Sequence, residues 1–88
     1  MERQNLPDLL YTTIQKLGGK AQMIVIFRKF WELNGNSLDL TNDLFYTWNY
    51  DIRWAATELR KQKRMKPAYS KENQHGKDIS PKGIWEII

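Results

Sequence analysis

Helical periodicity stops at Pro67, and that stop constrains the fold more than any other feature of this 88-residue chain. Proline lacks the amide hydrogen that a helix interior needs, and its ring clashes with the preceding turn. The chain around and beyond it reads "KPAYSKENQHGKDISPKGIWEII" from Lys66 onward. "KPAYS" and "GIWEI" are strand-like, and the polar segment between them carries Gly76 near its middle, so the pair is expected to form a hairpin. In "GIWEII", Trp85 and Ile87 fall on one side of the strand and Ile84, Glu86 and Ile88 on the other.

Upstream, three segments carry helical spacing. Leu6, Leu10, Ile14 and Leu17 predict a first helix over about 7–17, with Pro7 suited to its first turn and Gly18-Gly19 to its end. "KAQMIVIFRKFWELNG" predicts a second helix that stops at Asn34-Gly35. Its apolar residues cover so much of the circumference that burial on more than one side is expected, with Trp31 in the core. "GKAQ" before it reads as a short extended link. "TWNYDIRWAATELRKQKR" predicts a third helix over about 47–63, with Trp48, Ile52, Ala55, Ala56 and Leu59 inward. The outward face then holds Tyr50, Arg53, Trp54, Thr57 and Lys61, and Trp54 is expected to pack beneath the hairpin. The fold class is therefore mainly α with a small antiparallel β-hairpin, an α+β arrangement. Three helices followed by a two- or three-stranded wing is the order of a winged helix-turn-helix.

Several function classes drop out. Without cysteine there is neither a disulfide framework nor a thiolate metal site, and the single histidine, His75, cannot hold zinc alone. No phosphate-cradling glycine loop occurs and the carboxylates are scattered, so the domain is not expected to be an enzyme or to need a cofactor or metal. No apolar run approaches about 18 residues, the length a membrane span needs. "MERQNLPDLL" lacks the apolar core of a secretory signal, which makes a soluble, cytoplasmic protein the expectation.

Charge is distributed unevenly. Residues 1–59 hold six Lys/Arg against seven Asp/Glu, whereas residues 60–88 hold eight against three. A basic final third points to an anionic partner.

"IRWAATELRKQKRMKP" followed after a gap by "KGIWEI" resembles the N-terminal winged-helix domain of Mrr-type restriction endonucleases. The likeness rests on Trp54-Ala55, Leu59-Arg60-Lys61 and Gly83-Ile84-Trp85-Glu86-Ile87, and it extends over about 6–88. The segment between the strands is longer than the family's terse basic turn, and Glu86 stands where a basic residue is more typical. The resemblance implies a DNA-recognition module, one domain over 1–88 within a longer protein, with a nuclease domain elsewhere in the same chain. No acidic-plus-lysine cleavage motif lies in these residues. It also implies service to a restriction or other defence nuclease, a class that includes readers of modified DNA.

Double-stranded DNA is accordingly the expected partner, with helix three in the major groove and the wing on the backbone. On helix three, Asn49, Tyr50, Arg53 and Thr57 are the candidate base contacts, because asparagine and arginine can pair bidentately with adenine and guanine. Lys61 and Arg64 belong to a basic run, Arg60 to Lys66, that suits either phosphates or the negative end of the helix dipole. In the wing, Lys71, Asn73, Gln74 and Lys77 are candidate phosphate or minor-groove contacts, though such residues also build ordinary turns. A protein-interaction module using the aromatic surface around Tyr50 and Trp54, or a small transcription regulator, would fit the same pattern.

Overall fold

The computed structural model describes residues 2–37, 43–69 and 79–88, the side chain of Phe45 excepted. After a 3-10 turn at Arg3–Asn5 come α1 (Leu6–Lys16), β1 (Lys20–Gln22), α2 (Met23–Asn34), a 3-10 turn at Gly35–Ser37, α3 (Leu44–Lys61) and β2 (Ile84–Glu86). The chain is mainly helical with a two-stranded antiparallel sheet, an α+β fold. Among the described residues, no helix is long and apolar enough to cross a membrane.

Leu6, Leu10 and Ile14 recur every fourth residue, so α1 turns one apolar edge inward and all three are fully buried. Its end is a Schellman motif: the Gly18 N–H donates to Gln15 O at 3.0 Å and the Gly19 N–H to Ile14 O at 2.9 Å. Both glycines have positive φ, 95° and 97°, a region that costs other residues about 1–2 kcal/mol. This reversal sends the chain directly into β1.

The sheet differs from the expected hairpin. β2 pairs with β1, with Ala21 opposite Trp85, and not with residues 66–69, which are not a strand. The link anticipated in "GKAQ" is the true partner. On its other side β2 continues into a single antiparallel bridge between Met65 and Ile87, where the Lys66 N–H donates to Glu86 O at 2.9 Å. Pro67 explains why pairing stops there, since it has no N–H to donate. Strands of three residues are marginal alone, so the sheet depends on what covers it. Trp85 supplies that cover.

α2 departs further from expectation. Only Ile26 and Phe30 are buried within it, while Ile24, Val25, Trp31 and Leu33 remain 55, 39, 43 and 38% exposed. Trp31 is therefore not core. α2 also lacks the left-handed glycine ending: Gly35 has φ −57° and continues into the 3-10 turn. Its small size serves packing instead, because a Cβ there would lie 3.1 Å from the Trp31 ring.

α3 buries Ile52, Ala55, Ala56 and Leu59. Two alanines on that face let α1 approach closely. The helix ends as α1 does, with Lys63 N–H to Arg60 O at 3.0 Å and Arg64 N–H to Leu59 O at 2.8 Å. Here, however, the left-handed position is occupied by Lys63, at φ 58°. Lys63→Gly is expected to raise stability by about 1 kcal/mol, the cost of a side chain in that conformation. Chemical denaturation would detect the change, and a lowered midpoint would count against the strain.

Trp54 is half-buried, and among the described residues its cover comes from the turn before α1. The Arg3 guanidinium lies 4.0 Å from the ring centroid and its Nε donates to Asp51 Oδ1 at 3.2 Å. Arg3→Ala is expected to cost about 0.5–1 kcal/mol, the range of an exposed cation–π contact. A thermal melt unchanged by that substitution would mean that the contact contributes nothing.

Candidate nucleic-acid interface

Because Ile52, Ala55, Ala56 and Leu59 anchor α3 inward, the opposite face is fixed toward solvent. It presents Tyr46, Tyr50, Arg53, Thr57 and Lys61 at helical spacing, with Asn49 beside Arg53, and all six are exposed. Tyr50 is 72% exposed and Tyr46 63%, unusual values for large rings. Tyr46 was not singled out in the sequence, although its spacing of four from Tyr50 is the signal that places it on the same face.

The polar groups on this face differ in availability. Arg53 has no ion-pair partner among the described residues, and its guanidinium carbon sits 5.8 Å from the Phe27 ring centroid. A guanidinium held over a ring keeps its donor fork open at the edge. The Thr57 hydroxyl donates to Arg53 O at 3.2 Å, leaving its lone pairs for an incoming donor. Asp51 accepts from Arg3 and, at 2.8 Å, from the Thr47 hydroxyl, so its carboxylate is engaged within the fold.

The basic run at the end of α3 divides into residues with quite different surroundings. Lys61 Nζ lies 3.3 Å from Glu58 Oε1. Arg64 Nη1 donates to Asp8 Oδ1 at 2.7 Å and its guanidinium covers Tyr11 at 4.5 Å, tying the exit of α3 to α1. Lys66 pairs with Glu86 at 3.1 Å, which gives Glu86 a structural partner. Arg60 is half-buried, donates from Nε to Lys66 O at 3.3 Å and lies 5.7 Å from the Trp85 ring centroid. Burial lowers its pKa from the usual value. Lys63 is exposed at the turn. Density of charge along the sequence thus overstates the number of cations free to meet phosphate.

Asn49, Tyr50, Arg53, Thr57 and Lys61 lie together on one face. Arg64 lies apart from them, against α1. Lys71, Asn73, Gln74 and Lys77 fall outside the described residues.

A second feature adjoins this face and was not foreseen. α2 and the start of α3 enclose an open groove of about 370 Å³ lined by Ile24, Phe27, Arg28, Trp31, Trp48 and Asn49. Trp48 forms its floor, stacked on Trp31 at 5.6 Å and met edge-on by Phe27 at 6.0 Å.

No family model, curated protein or solved structure matches this chain.

Proposed function

We propose that the chain is a winged helix-turn-helix domain that binds double-stranded DNA through α3. The observation that carries this reading is the outward face of α3. Two tyrosines, an asparagine, an arginine, a threonine and a lysine occupy one stripe of a helix whose other side is locked into the core. Those are side chains that read base edges and hold phosphates. The order of elements supports it: a helix, a short strand, two helices, then a strand returning to pair with the first.

In this reading the N-terminal half of α3 enters the major groove with Asn49, Tyr50 and Arg53 toward the bases. Lys61 and Lys63 lie further along and reach the backbone. The domain binds and does not catalyse. The resemblance to the Mrr-type N-terminal domain extends the proposal to a recognition module serving a restriction or defence nuclease.

The test is fluorescence anisotropy of a labelled duplex titrated at several salt concentrations. Each neutralised phosphate contributes about 0.9 to the slope of log affinity against log salt. A slope of about 2–4 is expected from the handful of cations on this face. Absence of duplex binding at low salt would overturn the proposal.

A further inference from the structure

The groove between α2 and α3 has two properties that do not belong together on an ordinary surface. Its walls are apolar, formed by Ile24, Phe27, Trp31 and Trp48, and Ile24 and Trp31 are 55 and 43% exposed. Its rim is cationic. Arg28 is exposed with no ion-pair partner among the described residues, and Arg53 closes the neighbouring edge over Phe27. The single carboxylate of α2, on Glu32, is held by Lys29 at 3.3 Å and offsets that lysine instead of Arg28.

We propose that this groove is a docking site for an acidic amphipathic helix of a partner protein. Ile24, Phe27, Arg28 and Trp31 stand at i, i+3, i+4 and i+7, the spacing by which one helix face meets the anchors of another. The eight residues from Ile24 to Trp31 span about 10 Å, so a partner of two to three turns covers the groove. Its apolar anchors lie over Phe27 and Trp48, and its carboxylates meet Arg28 and Arg53. Aromatic walls with an arginine at the edge are the composition of binding hot spots.

Charge selects this occupant over two others. A second copy of the chain would bring its own Arg28 and Arg53 into the same contact, and each chain already carries a net charge of +4. A DNA duplex would satisfy the arginines but offers little apolar surface to cover four aromatic and aliphatic side chains. The inference does not depend on DNA binding by α3, although Asn49 and Arg53 border both surfaces. A partner seated here therefore contacts the start of the face proposed to read bases.

The experiment uses two labelled 16-residue peptides that share leucine and phenylalanine anchors at i, i+4 and i+7. Their flanking positions are all glutamate in one and all lysine in the other. Binding is followed by peptide anisotropy and by tryptophan fluorescence of the intact chain. The glutamate peptide is expected to bind with one-to-one stoichiometry and at least tenfold more tightly than the lysine peptide. Ile24→Glu should weaken it at least tenfold while leaving the melting temperature unchanged, because the side chain is exposed. Arg28→Glu should reverse the preference between the two peptides. Equal binding of both peptides, binding by neither, or affinity unaltered by Ile24→Glu would each overturn the assignment. Sedimentation showing a dimer that Ile24→Glu dissociates would overturn it in favour of a second copy. Duplex affinity lost in Ile24→Glu while the glutamate peptide fails to bind would give the groove to DNA. Absence of duplex binding by the unsubstituted chain, with glutamate-peptide binding present, would count against the DNA reading and leave the groove's assignment standing.

Discussion

Trp85→Ala is expected to destabilise the chain by about 3–5 kcal/mol, the range for truncating an aromatic side chain in a core. The side chain is 7% exposed and touches three other elements. It lies opposite Ala21 across the sheet, meets Phe27 of α2 edge-on at 5.9 Å, and sits beneath the Arg60 guanidinium of α3. Ala21, opposite it across the sheet, is too small to refill the space. Removing the ring also takes away the cation–π contact with the Arg60 guanidinium. A chain of 88 residues has a total stability of roughly 4–13 kcal/mol, so the loss takes a large fraction of it. At about 4–8 °C per kcal/mol, the melting temperature should fall by at least about 12 °C. Trp85→Phe keeps part of the contact and should lose distinctly less. A melt within a few degrees of the parent would mean that β2 does not hold the sheet to the helices.

What could be read from the sequence follows from the range over which each signal acts. α1 and α3 were legible because their buried residues recur every three to four positions and their ends carry local cues. The observed α1, Leu6–Lys16, and α3, Leu44–Lys61, lie within three residues of the expected bounds. β1 was not legible as a strand. Three residues with Ala21 as the sole inward side chain give no alternation, and the partner at residues 84–86 is more than sixty positions away.

α2 misled in the opposite direction. "IVIFRKFW" is apolar nearly all round, and periodicity records which residues are apolar without recording whether anything covers them. The groove at Ile24 and Trp31 is the result. Ion pairing was hidden for the same reason, since Asp8 and Arg64 meet across 56 positions. The candidate base contacts fared better, because helical geometry alone puts Asn49, Tyr50, Arg53 and Thr57 on one face once the inward residues are known.

The contrast between Arg53 and Arg64 gives the second large effect. Arg53→Ala is expected to weaken binding to a preferred duplex by about 1–3 kcal/mol and to relax discrimination at one base pair, as loss of a bidentate arginine does. Its guanidinium is exposed on α3, rests against Phe27 and, among the described residues, has no carboxylate to leave when it turns toward a base. Arg64 is placed differently. Its 2.7 Å contact with Asp8 and its position over Tyr11 commit it to the fold, so a phosphate would have to compete with a carboxylate already in place. Arg64→Ala should therefore weaken all duplexes alike, by less than Arg53→Ala, and should lower stability by a few tenths to about 1 kcal/mol, as for other partly exposed ion pairs. Binding measured on a set of duplexes differing at single positions separates the two substitutions. A sequence-dependent loss from Arg53→Ala with a uniform loss from Arg64→Ala gives base reading to the N-terminal half of α3. Equal and uniform losses from both would remove Arg53 from base reading and leave α3 as a backbone contact.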